Sequence, residues 1–211
     1  MLRQVKVMLM VMLLVGVMSG CATLNENECL SADWYQIGFS DGVKGEPETY
    51  LEKHRKACSK HGVRTDMSEW LTGRQEGLRR YCTAERGYEE GLSNKKYHGV
   101  CSGLAGREFE QAYQRGNELY QQRQLVAQLE SDLKGVEQNL ADLDYEWDSL
   151  RADLLNDRLS SHERRQLVKR LDIVKRDNEN LAAERQFLIE KLNQALYHLD
   201  NMERAHRGNR H

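Results

Sequence analysis

Between residues 126 and 154, apolar side chains recur at alternating steps of three and four residues. The pattern runs without a miss through nine positions: Val126, Leu129, Leu133, Val136, Leu140, Leu143, Trp147, Leu150 and Leu154. This spacing places all nine on one stripe of an α-helix, as at the a and d positions of a coiled coil. The stripe predicts a long helix packed against another helix, and no other feature constrains the fold as strongly.

A second stripe follows a break over residues 155–161, where Ser160 and Glu163 have the capping-box spacing that starts a new helix. Two stripes joined by a short link predict an antiparallel hairpin. Because two helices bury only part of such stripes, we expect further association, with itself or with an envelope protein. The second stripe has polar Asn178 and Arg185 at core positions and otherwise contains Leu167, Leu171, Val174, Leu181, Leu188, Leu192, Ala195 and Leu199.

The first 21 residues have the layout of a secretory signal. Arg3 and Lys6 precede an apolar run over 7–17, and two small residues precede Cys21. The run is too short to span a membrane, which takes about 20 apolar residues. The segment resembles a bacterial lipobox, which implies removal of residues 1–20 and attachment of acyl chains to Cys21. An ordinary cleaved signal with a chance cysteine is the alternative.

The lipobox resemblance also implies a location. Ala22, not an aspartate, follows Cys21, and in the Gram-negative sorting rule such a lipoprotein goes to the outer membrane. Two or three acyl chains would hold it firmly, since one chain alone binds reversibly. We therefore expect a chain anchored in the outer membrane through Cys21 and facing the periplasm.

Four further cysteines, Cys29, Cys58, Cys82 and Cys101, lie in the first half of the mature chain. An even set in an exported segment of about 80 residues is typical of two disulfides. Spacing leaves all three pairings open. Cys29–Cys58 with Cys82–Cys101 is favoured, because these pairs close short loops within each half of an internal duplication.

The duplication consists of landmarks that recur about 36 residues apart. Glycines four apart share one face of a helix and let a neighbouring helix approach, so we interpret them as packing sites and not as phosphate loops. The landmarks are Trp34, Gly38, Gly42 and the sequence His-Gly-Val at 61–63, then Trp70, Gly73, Gly77 and His-Gly-Val at 98–100, with further motifs at Gly87/Gly91 and Ala112/Gly116.

Together these residues resemble an uncharacterised family of proteobacterial lipoproteins, domain of unknown function 2799. The resemblance covers roughly residues 21–120. Its motifs are the runs 33–42, 54–58, 73–78 and 97–101, together with Tyr81 and Cys82. It implies a lipoprotein, often with a coiled tail, but it brings no activity, substrate or catalytic residue to transfer.

Histidines near the cysteines raise the alternative of a metal site. His54, Cys58 and His61 share a helical face, and His98 lies three residues before Cys101, so a mixed Cys/His zinc site can be drawn. Disulfides are favoured, because an oxidised cysteine is neither a thiolate ligand nor a nucleophile. We therefore expect no metal, no cofactor and no catalytic cysteine.

Two other groups of residues admit a functional interpretation. Asp41, Glu76 and Glu90 each precede the second glycine of a motif. They could serve acid–base chemistry or bind a cation, but we expect them to be solvated or paired with Arg and Lys. Aromatic side chains could line a groove for sugar rings, but a small core between the disulfides is favoured. These are Trp34, Tyr35, Phe39, Trp70, Tyr81, Tyr88 and Tyr97.

Composition completes the prediction. Removal of residues 1–20 takes away Arg3 and Lys6 and changes the formal net charge from −2 to −4, so no nucleic-acid partner is expected. Charged residues make up 30% of the chain, which favours a small domain with an extended helical part over one large core. We predict an all-α protein: a disulfide-stapled helical domain over 21–116, a long antiparallel coiled-coil hairpin over 117–205 and a disordered tail over 206–211.

The expected function is a non-enzymatic one. We expect an envelope component that binds or spaces partners on the periplasmic side of the outer membrane. A small-ligand or metal-binding periplasmic domain is the alternative, and an enzyme comes third.

Overall fold

The computed structural model describes residues 23–208, with side chains to residue 206. Every regular element in this part of the chain is helical, which confirms the predicted all-α fold. The predicted signal, Cys21 and Ala22 lie outside the described residues. Two single 3₁₀ turns, Glu48–Tyr50 and Ser59–His61, accompany seven α-helices in the described part: α1 (Glu26–Leu30), α2 (Trp34–Val43), α3 (Leu51–Cys58), α4 (Met67–Tyr81), α5 (Ala84–Leu92), α6 (Gly103–Leu154) and α7 (Ser161–Gly208).

The chain divides into two compact units, with the boundary between Gln114 and Arg115. This boundary falls within α6, close to the 116/117 boundary predicted from the loss of glycines and cysteines. Between residues 23 and 208, none of the helices is both long enough and apolar enough to cross a membrane.

Helices α1, α2, α4 and α5 of the first unit begin at polar side chains that cap free backbone N–H groups. The Asn25 side chain accepts from the N–H of Glu28, whose carboxylate accepts from the Asn25 N–H. Asp33, Asp66 and Thr83 cap α2, α4 and α5 through their side-chain oxygens. These caps set the residues at which the motif-bearing helices start.

Helices α2 and α4 pack backbone against backbone at their glycines. A Cβ on any of the four would overlap a carbonyl oxygen of the opposite helix, so only glycine fits there. Because later residues of α2 meet later residues of α4, the two helices run parallel and in register. The predicted packing role of these glycines is confirmed. The four contacts are Gly38 with Trp70, Gly42 with Arg74, Gly73 with Tyr35, and Gly77 with Phe39.

Helix α5 and the first turns of α6 form a second pair of the same kind. A Cβ on Gly87 would overlap the carbonyl oxygen of Phe109. Phe109 lies three residues before Ala112, just as Trp70 lies three residues before Gly73. Ala112 is itself buried, so the smallest side chain takes the place of the glycine.

The two pairs are copies of one structural unit. Residues of α2 correspond to residues of α5 that lie 49 positions later, and residues of α4 to residues of α6 that lie 39 positions later. The recurrence of the Trp and Gly landmarks at about 36 residues is therefore the step from one helix to its partner. After the first helix of each pair, one residue has a left-handed backbone conformation: Gly45 in one copy and Asn94 in the other. The next residue donates its N–H to an equivalent carbonyl, Glu46 to Asp41 and Lys95 to Glu90.

Both disulfides have the favoured pairing. Cys29 is bonded to Cys58, with Sγ–Sγ 2.03 Å, and Cys82 to Cys101, with Sγ–Sγ 2.05 Å. Each bridge therefore closes a loop that contains the first helix of one pair, α2 or α5. A disulfide typically stabilises a small domain by about 2–4 kcal/mol, which is a large share of its stability.

Helices α6 and α7 form the predicted antiparallel hairpin. Between them, Ser160 N–H donates to the Glu163 carboxylate and Glu163 N–H donates to the Ser160 hydroxyl, which confirms the capping box. Hydrogen bonding of the Glu163 carboxylate to the side chain and the backbone of Ser160 lowers the Glu163 pKa. Along the arms, the Gln122 amide donates to the Ala195 carbonyl, Arg123 pairs with Glu203 and Arg170 pairs with Glu146.

The stripe on α6 faces α7 as predicted, because each of its nine residues is buried or half-buried. On α7 one position departs from the prediction. Arg185 was placed in the core but is exposed, because its long side chain reaches out to the Glu137 carboxylate at 3.1 Å. Asn178 is half-buried and donates to Asp144. His206, where the tail was predicted to begin, is still helical.

Candidate functional site

A buried carboxylate lies at the centre of the first helix pair. Asp41 is 3% exposed, in the last turn of α2 beside Gly42. The Trp70 indole N–H donates to Asp41 Oδ2 over 2.9 Å, and His54 Nε2 lies 2.8 Å from the same oxygen. The close glycine contact between α2 and α4 brings Trp70 within reach of the carboxylate.

His54 extends this arrangement towards the start of the described chain. Its Nδ1 lies 2.8 Å from the Thr23 hydroxyl, and its ring packs edge-on against Tyr50 with centroids 5.2 Å apart. Because a carboxylate can only accept, Nε2 carries the proton and donates to Asp41, so in the neutral ring Nδ1 accepts from Thr23. We call Thr23, His54, Asp41 and Trp70 the Asp41 network.

A hydroxyl, an imidazole and a carboxylate in series are also the groups of a hydrolase triad. Here Asp41 and His54 are both covered by protein, and Thr23 is half-buried. The imidazole and the carboxylate are therefore shielded from solvent. What the network does is join the segment before α1 to α2, α3 and α4 through polar bonds shielded from water, where hydrogen bonds to charged groups are strongest.

The second helix pair holds a carboxylate at the equivalent position. Glu90 is 5% exposed and pairs with Arg86 Nη2 at 2.9 Å and with Lys95 Nζ at 3.2 Å. The predicted pairing with Arg and Lys is thus observed at Glu90, whereas Asp41 bonds to an imidazole and an indole. Glu76 is half-exposed and pairs with Arg79 at 3.0 Å.

A second equivalence was missed in the sequence. Arg74 Nε donates to the Glu46 carbonyl over 2.8 Å, and the Tyr113 hydroxyl donates to the Lys95 carbonyl over 2.8 Å. Each donor lies one residue after the small residue that packs against the other helix. Burial lowers the pKa of Arg74, partly offset by Glu48. The same backbone carbonyl is therefore held by a guanidinium in one copy and by a phenol in the other.

Aromatic rings fill the interior of both copies, as favoured over a sugar-binding groove. Trp34 and Trp70 pack around the Cys29–Cys58 bridge. In the second copy, Phe109 is fully buried and its ring lies 5.0 Å from Tyr81 and 4.7 Å from Tyr97. Phe109 was not singled out in the sequence, although it occupies the position equivalent to Trp70.

The histidines and cysteines of the alternative zinc site are not brought together. Cys58 and Cys101 belong to different disulfides, His61 and His98 are exposed, and His54 lies in the Asp41 network. Within residues 23–208, no group of three or more His, Cys, Asp or Glu side chains is arranged to hold a metal ion.

The hairpin carries a row beside its stripe in which four of five residues are apolar. Five residues of α7 lie next to the stripe at intervals of seven, and we call them the outer row: Val168, Lys175, Ala182, Ile189 and Leu196. Val168 and Leu196 are 46% and 41% exposed. A helix with such a widened apolar face is typical of bundles with more than two helices. The matching row of α6 is charged instead: Arg123, Glu130, Glu137, Asp144 and Arg151.

Comparison with known families supports the domain assignment noted in the sequence and does not bear on the lipoprotein part of it. Residues 33–118 match the family described as Protein of unknown function (DUF2799). The match to DUF2799 spans both copies of the helix pair, and the greater part of the hairpin lies beyond it. No curated protein and no solved structure matches the chain. The DUF2799 description assigns no activity to the Asp41 network or to any other residue.

Proposed function

We propose that this chain is a lipid-anchored envelope protein of the periplasmic face of the outer membrane, where its hairpin binds a protein partner without catalysing a reaction. The observation that carries the proposal is the outer row of α7, since apolar side chains there remain exposed after α6 and α7 have packed together. A hairpin in which two helices pack only on each other needs apolar side chains at the a and d positions alone. A third apolar row indicates that another surface packs against α7.

The compartment is supported by the disulfides and the lipobox. Two disulfides within one small domain favour an oxidising compartment such as the periplasm. The sequence around Cys21 has the charged, apolar and small segments of a lipoprotein signal.

The Asp41 network supports an anchor close to the membrane. Thr23 bonds to His54 inside the domain, and only Ala22 separates it from Cys21. Two residues of chain span at most about 7 Å. An acylated Cys21 would therefore hold the domain against the lipid surface, with no flexible spacer between them.

Fatty-acid labelling in a Gram-negative host tests the anchor. The wild-type chain should incorporate label and fractionate with the outer membrane, and Cys21→Ser should abolish both. Cys29→Ser with Cys58→Ser, which removes two other cysteines, should keep the label. Label retained on Cys21→Ser, or recovery of the wild type in the inner membrane, would refute the assignment.

Site-specific photocrosslinking in intact cells tests the binding role. A photoreactive residue at Ile189, in the outer row, should give a discrete crosslinked protein. The same residue at Phe187, which is exposed on another face of α7, is the matched control and should give little product. Equal crosslinking from both positions would show that the outer row is not the binding surface.

A further inference from the structure

We propose that the partner of the outer row is a second copy of this chain, with the two α7 helices packed antiparallel about a two-fold axis at Ala182. The inference rests on the proposed function, which it deepens by naming the occupant of the binding surface. Its geometry is set by α7 alone, so it can be tested apart from the membrane anchor.

The first argument is the symmetry of the outer row. Val168 and Leu196 each lie 14 residues from Ala182, and Lys175 and Ile189 each lie seven residues from it. Reversal of the helix about Ala182 therefore places the row on itself, which an isologous two-fold interface requires. Val168 of one copy then meets Leu196 of the other. Ala182, the smallest member of the row, falls where the two helices come closest.

The second argument is the charge on the exposed positions beside the row. Over residues 161–176 these positions hold three basic side chains and one acidic side chain, and over residues 188–203 they hold two acidic side chains and no basic one. Antiparallel packing sets the basic half of one copy against the acidic half of the other, whereas parallel packing would set like charges together. The residues are Arg165, Lys169, Asp172 and Arg176, and then Glu190 and Asp200.

The third argument is the shape of the same face. One shallow concavity, about 540 Å³, lies at its basic end beside Val168, Arg165 and Lys169. Another, about 470 Å³, lies at its acidic end beside Ile189, Glu190 and Tyr197. In the antiparallel arrangement residues 186–198 face residues 166–178 of the second copy. The exposed Val168 side chain and its basic neighbours then lie over the acidic concavity.

Substitutions that introduce opposite charges at the two contacting positions, 168 and 196, test this arrangement. The full chain, solubilised in a mild detergent, should have the mass of two chains by light scattering corrected for bound detergent. Val168→Glu and Leu196→Lys should each weaken the dimer by at least about a hundredfold, because each puts unpaired charges at both ends of the interface. When the two variants are mixed, one end pairs the new carboxylate with the new ammonium and the other end is wild type. The mixture should therefore recover dimer to within about tenfold of the wild-type affinity.

Controls separate this inference from misfolding and from the proposed function. Both variants should keep wild-type helicity by circular dichroism, and Phe187→Glu should remain dimeric. A monomeric wild type, a mixture that stays monomeric, or equal loss with Phe187→Glu would overturn the two-fold pairing. A monomeric wild type that still crosslinks to a different protein at Ile189 would leave the proposed function standing, whereas a dimer without label on Cys21 would refute the anchor and leave the pairing intact.

Discussion

The carbonyl oxygen of Trp70 lies where a Cβ on Gly38 would have to be. The same relationship holds in reverse between Gly73 and Tyr35, so each helix of the first pair presents its peptide backbone to the other. At this contact the register is set by main-chain atoms, which cannot move aside as a flexible side chain could.

Gly38→Ala should lower the free energy of unfolding of the disulfide-bonded domain by about 3 kcal/mol or more, because the helices must separate to admit the methyl group. Urea denaturation followed by the near-ultraviolet aromatic signal measures this loss. Gly135→Ala is the control, since a Cβ there meets no atom within 4 Å. In a helix interior it should stabilise the hairpin by up to about 1 kcal/mol. A Gly38→Ala domain as stable as the wild type would contradict the close approach.

His54→Phe should destabilise the same domain by about 2–4 kcal/mol, because Asp41 keeps only its bond from Trp70 while remaining buried. His98→Phe, at an exposed position, should change the free energy of unfolding by no more than about 0.5 kcal/mol. Equal effects of the two substitutions in denaturant titrations would remove the Asp41 network as a source of stability.

Alkaline pH should destabilise the first unit through Tyr81, the last residue of α4. Burial, followed by the nearby Glu90 carboxylate, raises the Tyr81 pKa far above its ordinary value of 10.0. The unfolded chain loses the phenol proton near pH 10 and the folded chain keeps it, so this contribution is fully present below about pH 10 and is lost as pH rises further. The loss is at most about 1.4 kcal/mol per pH unit.

Brief denaturant titrations at successive pH values above 9 would measure this loss. Tyr81→Phe should flatten the alkaline fall in stability, whereas Tyr145→Phe, at a 79% exposed position, should leave it unchanged. An identical alkaline fall in Tyr81→Phe and the wild type would show that another group is responsible.

Leu140→Asp should melt the hairpin, because it puts an uncompensated charge at the contact between α6 and α7. Helicity by far-ultraviolet circular dichroism should fall sharply, while the near-ultraviolet aromatic signal of the disulfide-bonded domain persists. Tyr145→Asp introduces the same charge at an exposed position of α6 and should retain full helicity. A Leu140→Asp chain with wild-type helicity would contradict the coiled-coil hairpin.

The sequence predicted those features that depend on short-range pattern. The apolar stripe over 126–154 and the Ser160–Glu163 cap lie within single helices or turns, where spacing alone determines which side chains face the same way. The disulfide pairing that was favoured from short loops is the one observed, with each bridge enclosing the first helix of one pair.

Features that depend on contact between distant segments were not predictable in the same way. Asp41 and Glu76 each precede the second glycine of a motif, yet only Asp41 is buried, where Trp70 and His54 bond to it. Arg185 is exposed and not in the core, because its side chain bonds to Glu137, which lies 48 residues earlier on the opposite helix. The equivalence of Trp70 with Phe109 could have been found by aligning the helix pairs at 49 and 39 residues.

The two disulfides also determine how the chain would carry a mechanical load. A pull between the start of the described chain and the hairpin passes through Cys29–Cys58 and Cys82–Cys101, so the residues enclosed by these bridges bear no tension. Between the bridges only residues 59–81 can be drawn out, which limits the extension there to about 80 Å even if α4 unravels. The first unit would thus act as a tether of limited length that keeps its bridged segments folded under force.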